Sequence, residues 1–384
     1  MAATEKEGSA LGPLLQAALA LPILVVPVRA GAAEVGEMGF TLLGYKERGL
    51  MKVTEPILWG HARIGEDWEI AASAAVDIIT GASPQVVTNV GGKPVQTISG
   101  ASISERRLTS DVKVGRHFGD FTLSASHTSS REHDYLSTAS GLEGRLDLND
   151  RLTTITAGYG RSDDRVRSHD DPTLDQPRTT NEYLIGVSQV LSPVAVVQST
   201  LTTARGHGWY NDPYKFTLTF YPEGGAPAFL PDLRPSQRNT WAWTTRYRHH
   251  FPATHMTLQA EYRYYHDDWG IDAHTLEVAL HHALTERFAL RPALRYYTQS
   301  AADFYSPTIP KPAPAVLSSD QRLGAFGGLS PSLRATVRLD NGLRIEGTAG
   351  YVHNARTLHF GGSGSEAFQT LRAVYGILGI SREF

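Results

Sequence analysis

Breaks in this chain alternate, short then long, and the stretches between them place apolar side chains on every second residue. Tight turns are signalled at Gly65-Glu66-Asp67, Gly119-Asp120, Asn149-Asp150, Ser192-Pro193, Pro252-Ala253, Thr285-Glu286-Arg287 and Asp340-Asn341-Gly342. Most are separated by longer polar or proline-rich stretches, and the chain closes on an alternating segment from Tyr375 to the terminal Phe384. A sheet closed into a barrel, with turns on one side of a membrane and loops on the other, produces this rhythm. The period is two rather than 3.6. Met256, Leu258, Ala260, Tyr262 and Tyr264 alternate with Thr257, Gln259, Glu261, Arg263 and Tyr265. Leu333, Ala335, Val337 and Leu339 alternate with Arg334, Thr336 and Arg338.

The pattern predicts an all-β fold, a transmembrane antiparallel barrel of about 16 strands. They are expected near 38–47, 51–64, 68–80, 101–118, 121–135, 137–148, 151–165 and 179–191 in the first half. The remainder are expected near 194–208, 238–251, 254–268, 272–284, 288–302, 320–339, 343–357 and 366–384. Seven short turns and both termini are expected to face the periplasm. Connections near 81–100, 166–178, 209–237, 303–319 and 358–365 are expected to face outward, and those near 48–50, 136 and 269–271 are short.

A soluble β-protein also alternates, but it hides its apolar face. Here Arg246, Arg248, Arg263, Arg291, Arg295, Arg334, Arg338 and Arg344, with Glu261, Glu277 and Glu346, fall on the polar side of long strands. Enclosing that many charges in a dry core is prohibitively costly, whereas a wide, wet lumen accommodates them. The N-terminus reads as an export signal over residues 1–33: Lys6 in a short polar start, a mostly apolar run from Leu11 to Val28, then Ala30-Gly31-Ala32 for cleavage near Ala32 or Ala33. Pro13, Pro22 and Pro27 argue against a membrane-anchoring helix there. Residues 34–384 remain for the barrel. The 36 basic and 39 acidic side chains leave a net charge of −3, so nucleic acid is not an expected partner. Cysteine is absent, which rules out disulfides, thiolate nucleophiles and cysteine-based metal centres.

Four stretches carry a resemblance. They are Val53-Thr-Glu-Pro-Ile-Leu-Trp59, Asp77-Ile-Ile-Thr-Gly-Ala-Ser-Pro84 (with Asp77, Gly81, Ser83 and Pro84), Ser130-Arg-Glu-His-Asp-Tyr135, and the run from Asp268 to Tyr305. The last includes Asp268, Trp269, His274, Arg295, Tyr296, Gln299, Asp303 and Tyr305. In these the chain resembles, over essentially its whole mature length, a bacterial outer-membrane barrel family known as domain of unknown function 3570. Thr80 departs from the pattern, where the family more often has Ser. The resemblance implies an outer-membrane location and carries no assigned activity. Members are often encoded beside a flavin transferase that attaches FMN to exported proteins, and beside thioredoxin-like or lipoprotein partners. That neighbourhood implies a role in envelope redox traffic, with a periplasmic redox or flavinylated partner.

Two readings of the polar-face arginines stand level. Either they form a positive wall that favours small anionic solutes, or they pair with Glu261, Glu277, Glu346 and nearby tyrosine hydroxyls. The hairpin tip from His266 to His274 is the densest set of metal-ligand types, but alternate residues face opposite sides and Asp and Gly make tight turns unaided. A structural role is expected there, and no metal or cofactor. His249, His250, His255, His281 and His282 are expected as interfacial aromatics near the turn-side rim. Ser126 and His127 are adjacent, so they point to opposite faces, and no catalytic constellation is expected. Gly324–Gly328 and Gly361–Gly364 lack the lysine and following helix of a phosphate loop. The loop at 209–237, rich in aromatics such as Trp209, Tyr210, Tyr214 and Phe216, is expected to be ordered and to narrow the mouth. The expected function is a channel in outer-membrane lipid, or the barrel component of an envelope system. The alternative is a non-conducting scaffold for a periplasmic redox or flavin-linked partner.

Overall fold

A computed structural model describes residues 36–384 apart from 49, 82–83, 91–92, 99–102 and 222–225. The signal peptide expected at 1–33, and Ser83, lie outside the described residues. In chain order the strands are β1 (Gly36–Glu47), β2 (Met51–Ile64), β3 (Trp68–Gly81), β4 (Pro84–Val90), β5 (Lys93–Ile98), β6 (Ile103–Phe118) and β7 (Phe121–Arg131). Then come β8 (Tyr135–Leu148), β9 (Thr153–Arg167), β10 (Asp175–Ser192), β11 (Ala195–Gly208), β12 (Phe216–Thr219), β13 (Ala228–Pro231) and β14 (Gln237–Phe251). The last are β15 (Met256–Asp267), β16 (Asp272–Ala283), β17 (Phe288–Gln299), β18 (Phe326–Arg338), β19 (Leu343–Ala355) and β20 (Leu371–Glu383). Among the described residues, β4, β5, β12 and β13 form a small sheet of their own, and the other sixteen close into one antiparallel barrel.

Each barrel strand pairs with its neighbours in order, and β20 pairs back onto β1 with Leu43 opposite Ile377 and Tyr45 opposite Tyr375. The seam is finished by Gly36 N donating to Phe384 O at 3.0 Å and Phe384 N donating to Gly36 O at 2.9 Å. Closure leaves the sheet no unpaired edge, the condition for crossing lipid with strands. No helix among the described residues is long and apolar enough to cross a membrane.

The sixteen expected strands are all present, with two late starts. The strand expected from 320 begins at Phe326, because Gln321–Leu323 is a 3₁₀ turn capped by Asp320, which accepts from Arg322 N. The strand expected from 366 begins at Leu371. The connections near 81–100 and 209–237 carry β4, β5, β12 and β13, where only loops were expected; strands of four to seven residues are too short to show a period. The tight turns use left-handed backbone where the sequence allows it. Gly65, Gly119 and Gly342 sit at φ 63°, 67° and 76°, and Asn149 and Asp150 at 52° and 54°.

One face of every barrel strand is apolar and exposed: Met38, Phe40 and Leu42 on β1, Leu58 on β2, Leu276 and Val278 on β16, Leu378 and Ile380 on β20. A belt this extensive belongs against lipid tails. A register slip of one residue would turn every such side chain inward, so the belt and the register specify each other.

At the loop end the mouth is occupied. Inward-facing Gly206 lies against Tyr210, whose hydroxyl would collide with any Cβ there, so the loop between β11 and β14 folds into the barrel. Tyr214 in that loop donates to Asp134 Oδ2 at 2.5 Å and accepts from His169 N at 2.8 Å, reaching across to the β7–β8 and β9–β10 connections. Burial, with the Asp134 carboxylate beside it, raises the Tyr214 phenol, so it stays a donor at neutral pH. The connection between β17 and β18 joins from the other side. Trp269, Ile271, Ala302 and Leu323 form a buried apolar cluster with Tyr210 and Tyr265 packed on it.

Three cations and three carboxylates lock these loops together. Asp320 is paired with Arg322, with Lys215 at 3.0 Å and with Arg234 at 3.1 Å; Arg234 also meets Asp232 at 2.7 Å, and Arg322 meets Asp212 at 3.1 Å. Burial opposes the charge on Asp320, yet Arg322, Lys215 and Arg234 hold its carboxyl well below the usual range. Burial, helped by Asp212 and opposed by Arg234, pushes the Asp232 carboxyl upward. A depressed carboxyl contributes stability above its unfolded pKa and loses it as pH falls through the folded value, so the Asp320 contribution survives mild acid. Replacing Asp320 by Ala leaves Lys215 without its carboxylate and Arg234 and Arg322 with one each, and is expected to cost about 3–5 kcal/mol locally. Hydrogen exchange should then accelerate across residues 209–236 and 300–325 while the strands keep their protection; unchanged loop protection would refute the clasp.

Candidate functional site on the inner wall and at the mouth

The face opposite the apolar belt points into the barrel, and the register assigns each polar-face residue to it. Arg246, Glu261, Glu277, Arg295 and Ser330 stand in one row across β14 to β18. Arg248 lies opposite Gln259 toward the turn end, and Arg263 lies opposite Thr275 toward the loop end. Arg291 faces Arg334 on β17 and β18, and Arg338 faces Arg344 on β18 and β19, with Glu346 opposite Thr336. Like charges directly opposite each other destabilise a sheet pair.

Carboxylates relieve some of this crowding. Arg246 bonds Glu261, Arg291 reaches Glu277 at 3.3 Å and Gln259 Oε1 at 3.0 Å, and Arg344 meets Glu37 at 2.6 Å and Glu346 at 3.9 Å. Among the described residues Arg334 finds only the Thr348 hydroxyl, at 3.3 Å, and Arg263 lies over the Tyr265 ring. Arg248, Arg263, Arg295, Arg334 and Arg338 make no ion pair among the described residues. Some of these arginines therefore pair with carboxylates and others do not.

The inner face of β7 to β9 has a different composition. Ser124, Ser126 and Thr128 on β7, Gly141 on β8, and Gly158, Gly160 and Ser162 on β9 turn small or hydroxylated groups inward, beside Glu143, Arg145 and Asp147 on the same face of β8. Glu182 on β10 points inward and is exposed, and Arg246 and Glu261 keep 31% and 35% of their side-chain surface accessible, so water reaches the interior at this level.

The hairpin tip between β15 and β16 divides by parity. Asp267, not singled out from the sequence, points inward and is buried: its Oδ1 accepts from Trp269 N at 3.1 Å and Ile271 N at 2.9 Å, and its Oδ2 from Arg238 at 2.7 Å and Tyr265 at 2.8 Å. Asp268 accepts from Asn239 N and Nδ2. His266 meets Asp272 at 2.9 Å on the outer face, and His274 meets the Tyr262 hydroxyl at 2.8 Å. The tip thus spends its ligand-type groups on its own turn. Carboxylate oxygens converge elsewhere, where Glu105, Glu132 and Asp134 bring theirs within 4.8 Å of one another at the loop end. The histidines also divide: His250 and His281 lie on the inner face, His249 and His282 on the outer.

The residues of the family-like stretches have structural work. Asp77 is buried and paired with Arg107 at 2.5 Å; Gly81 ends β3 and Pro84 begins β4. Trp269 is buried, donates to Gln237 O at 2.7 Å, and lies under Arg238 at 4.3 Å. Gln299 Nε2 donates to Arg322 O at 2.9 Å and Gly324 O at 2.8 Å, and Tyr296 donates to Leu358 O at 2.8 Å. Asp303 N donates to Trp269 O at 2.8 Å, and Tyr305 packs on the cluster around Trp269. The run from Asp268 to Tyr305 is therefore the seat on which the mouth loops rest.

CdiB from Acinetobacter baumannii superimposes with a TM-score of 0.53 at 9% identity, over 92% of this chain and 61% of that one. A bacterial polysaccharide outer membrane secretin gives 0.49 at 9% identity over 92% of this chain and 100% of that one. OmpT of Vibrio cholerae gives 0.45 at 8% identity over 93% and 100%. At such identities the likeness to CdiB shows the fold alone. A search of curated proteins found no match. The model of the family described as Protein of unknown function (DUF3570) matches residues 11–176 and 170–373, and the chain belongs to that family.

Proposed function

We propose that this chain is an exported outer-membrane channel for small anions, with tight turns in the periplasm and loops outside. The observation that carries the reading is the set of inward arginines without carboxylate partners: Arg248, Arg263, Arg295, Arg334 and Arg338. At an effective dielectric constant near 20, two unit charges 4 Å apart interact by about 4 kcal/mol. A partly hydrated wall with several uncompensated guanidinium groups therefore draws anions in and repels cations. The Ser, Thr and Gly positions on β7 to β9 leave room for a hydrated solute, and the inward loops set the size admitted. On this reading the chain does no covalent chemistry and needs no cofactor.

A second reading rests on the same mouth. Two loops clasped by a charge-balanced network favour a closed barrel that serves as a non-conducting scaffold for a periplasmic redox or flavin-linked partner.

Planar-bilayer recording separates the two. The channel reading expects steady conductance and a reversal potential displaced to the anion-selective side in a KCl gradient. Replacing Arg248, Arg334 and Arg338 together by Gln should move that potential towards zero with the barrel intact. No conductance at any voltage would remove the channel reading. Export has its own test: mass spectrometry of protein from the outer-membrane fraction is expected to find an N-terminus at Ala33 or Glu34. Recovery with residues 1–32 still attached would refute cleavage.

A further inference from the structure

The outer surface at the strand seam carries a second set of cations that the lumen does not use. On β20, β1 and β2 the lipid-facing residues run through Leu378 and Val374, Phe40 and Leu42, and Leu58, all exposed. Toward the loop end the same faces finish in Arg372, Lys46 and Lys52, joined by Arg48 just past β1; all four are exposed. The register puts Lys46 directly opposite Lys52, with Val374 on its other side, and Arg48 N donates to Arg372 O at 3.1 Å. Strands lie about 5 Å apart, so four positive side chains crowd within three neighbouring strands. None makes an ion pair among the described residues. Glu47, the nearest carboxylate in sequence, faces inward and is buried.

Such a cluster is self-repelling, and directly opposed like charges weaken a strand pair. It is placed where long basic side chains lie along apolar surface and carry their charge to headgroup level. At the turn end of these three strands the outer faces carry a single cation among the described residues, Arg382, and Glu66 and Asp67, both exposed, close the β2–β3 turn. The asymmetry selects one leaflet, and multiple cations around one spot suit a multivalent phosphate better than a single carboxylate.

We propose that Lys46, Arg48, Lys52 and Arg372 bind the phosphate groups of a phosphorylated glycolipid in the leaflet that surrounds the loop end. The proposal rests on the membrane location proposed above but not on conductance. The test uses the full chain in detergent, offered diphosphorylated lipid A, its dephosphorylated form, or inorganic phosphate, with bound lipid counted by native mass spectrometry. The wild-type protein is expected to retain the diphosphorylated lipid. The fourfold variant K46Q/R48Q/K52Q/R372Q is expected to retain less by on the order of tenfold or more, with reconstitution, single-channel behaviour and heat-resistant folded mobility unchanged. Equal retention by the variant, equal retention of the dephosphorylated lipid, or displacement by millimolar inorganic phosphate would overturn the site as a lipid site. Failure of the folded protein to enter vesicles would sink the membrane reading, and this inference with it.

Discussion

In a hydrocarbon layer no water is available to a peptide group, so each N–H and C=O must find its partner within the chain. Everything else in this protein follows from the way that demand is met. Sixteen strands pair in sequence and the last returns to the first, with Phe384 bonded to Gly36 across the seam. Once the sheet is closed, period-two alternation has a physical meaning: one set of side chains meets lipid and the other meets whatever fills the cylinder.

What fills it is unevenly distributed. The arc from β14 to β19 supplies guanidinium groups faster than it supplies carboxylates, whereas the arc from β7 to β9 mixes hydroxyls and glycines with Glu143, Arg145 and Asp147. A soluble core would not tolerate the surplus, because an uncompensated buried charge costs more than packing can return. Partial hydration of the interior makes the surplus on this arc tolerable. The mouth follows the opposite rule. There Asp320, Arg322, Arg234, Lys215, Asp232 and Asp212 are largely shielded from solvent, and charge balance is complete at three against three.

Much of this was legible in the residues. The tight turns, the strand count and the face on which each arginine lies are local properties, since a two-residue period needs only a few neighbours to declare itself. The four short strands outside the barrel were not legible, because β12 and β13 are four residues each and no alternation accumulates over that length. Asp267 was read only as one of the ligand-type residues of the tip, whereas its neighbour Asp268 was singled out. Nothing in the spacing marks which member of a turn will point inward, and one position of parity separates a buried hub from an exposed side chain.

Alternation, composition and turn residues by themselves determined that this chain is a closed β-barrel with greasy outside and charged inside, because those features act over a few residues at a time. Only the tertiary structure decided which arginines are neutralised and which are left over. Arg291 reaches Glu277 fourteen positions away and Arg344 reaches Glu37 across the seam, 307 positions away. The mouth was decided the same way: Arg234 and Asp320 are 86 residues apart, Arg322 and Asp212 are 110. Such pairs exist only after register and closure have brought distant strands side by side, and a one-dimensional pattern contains no distance between them.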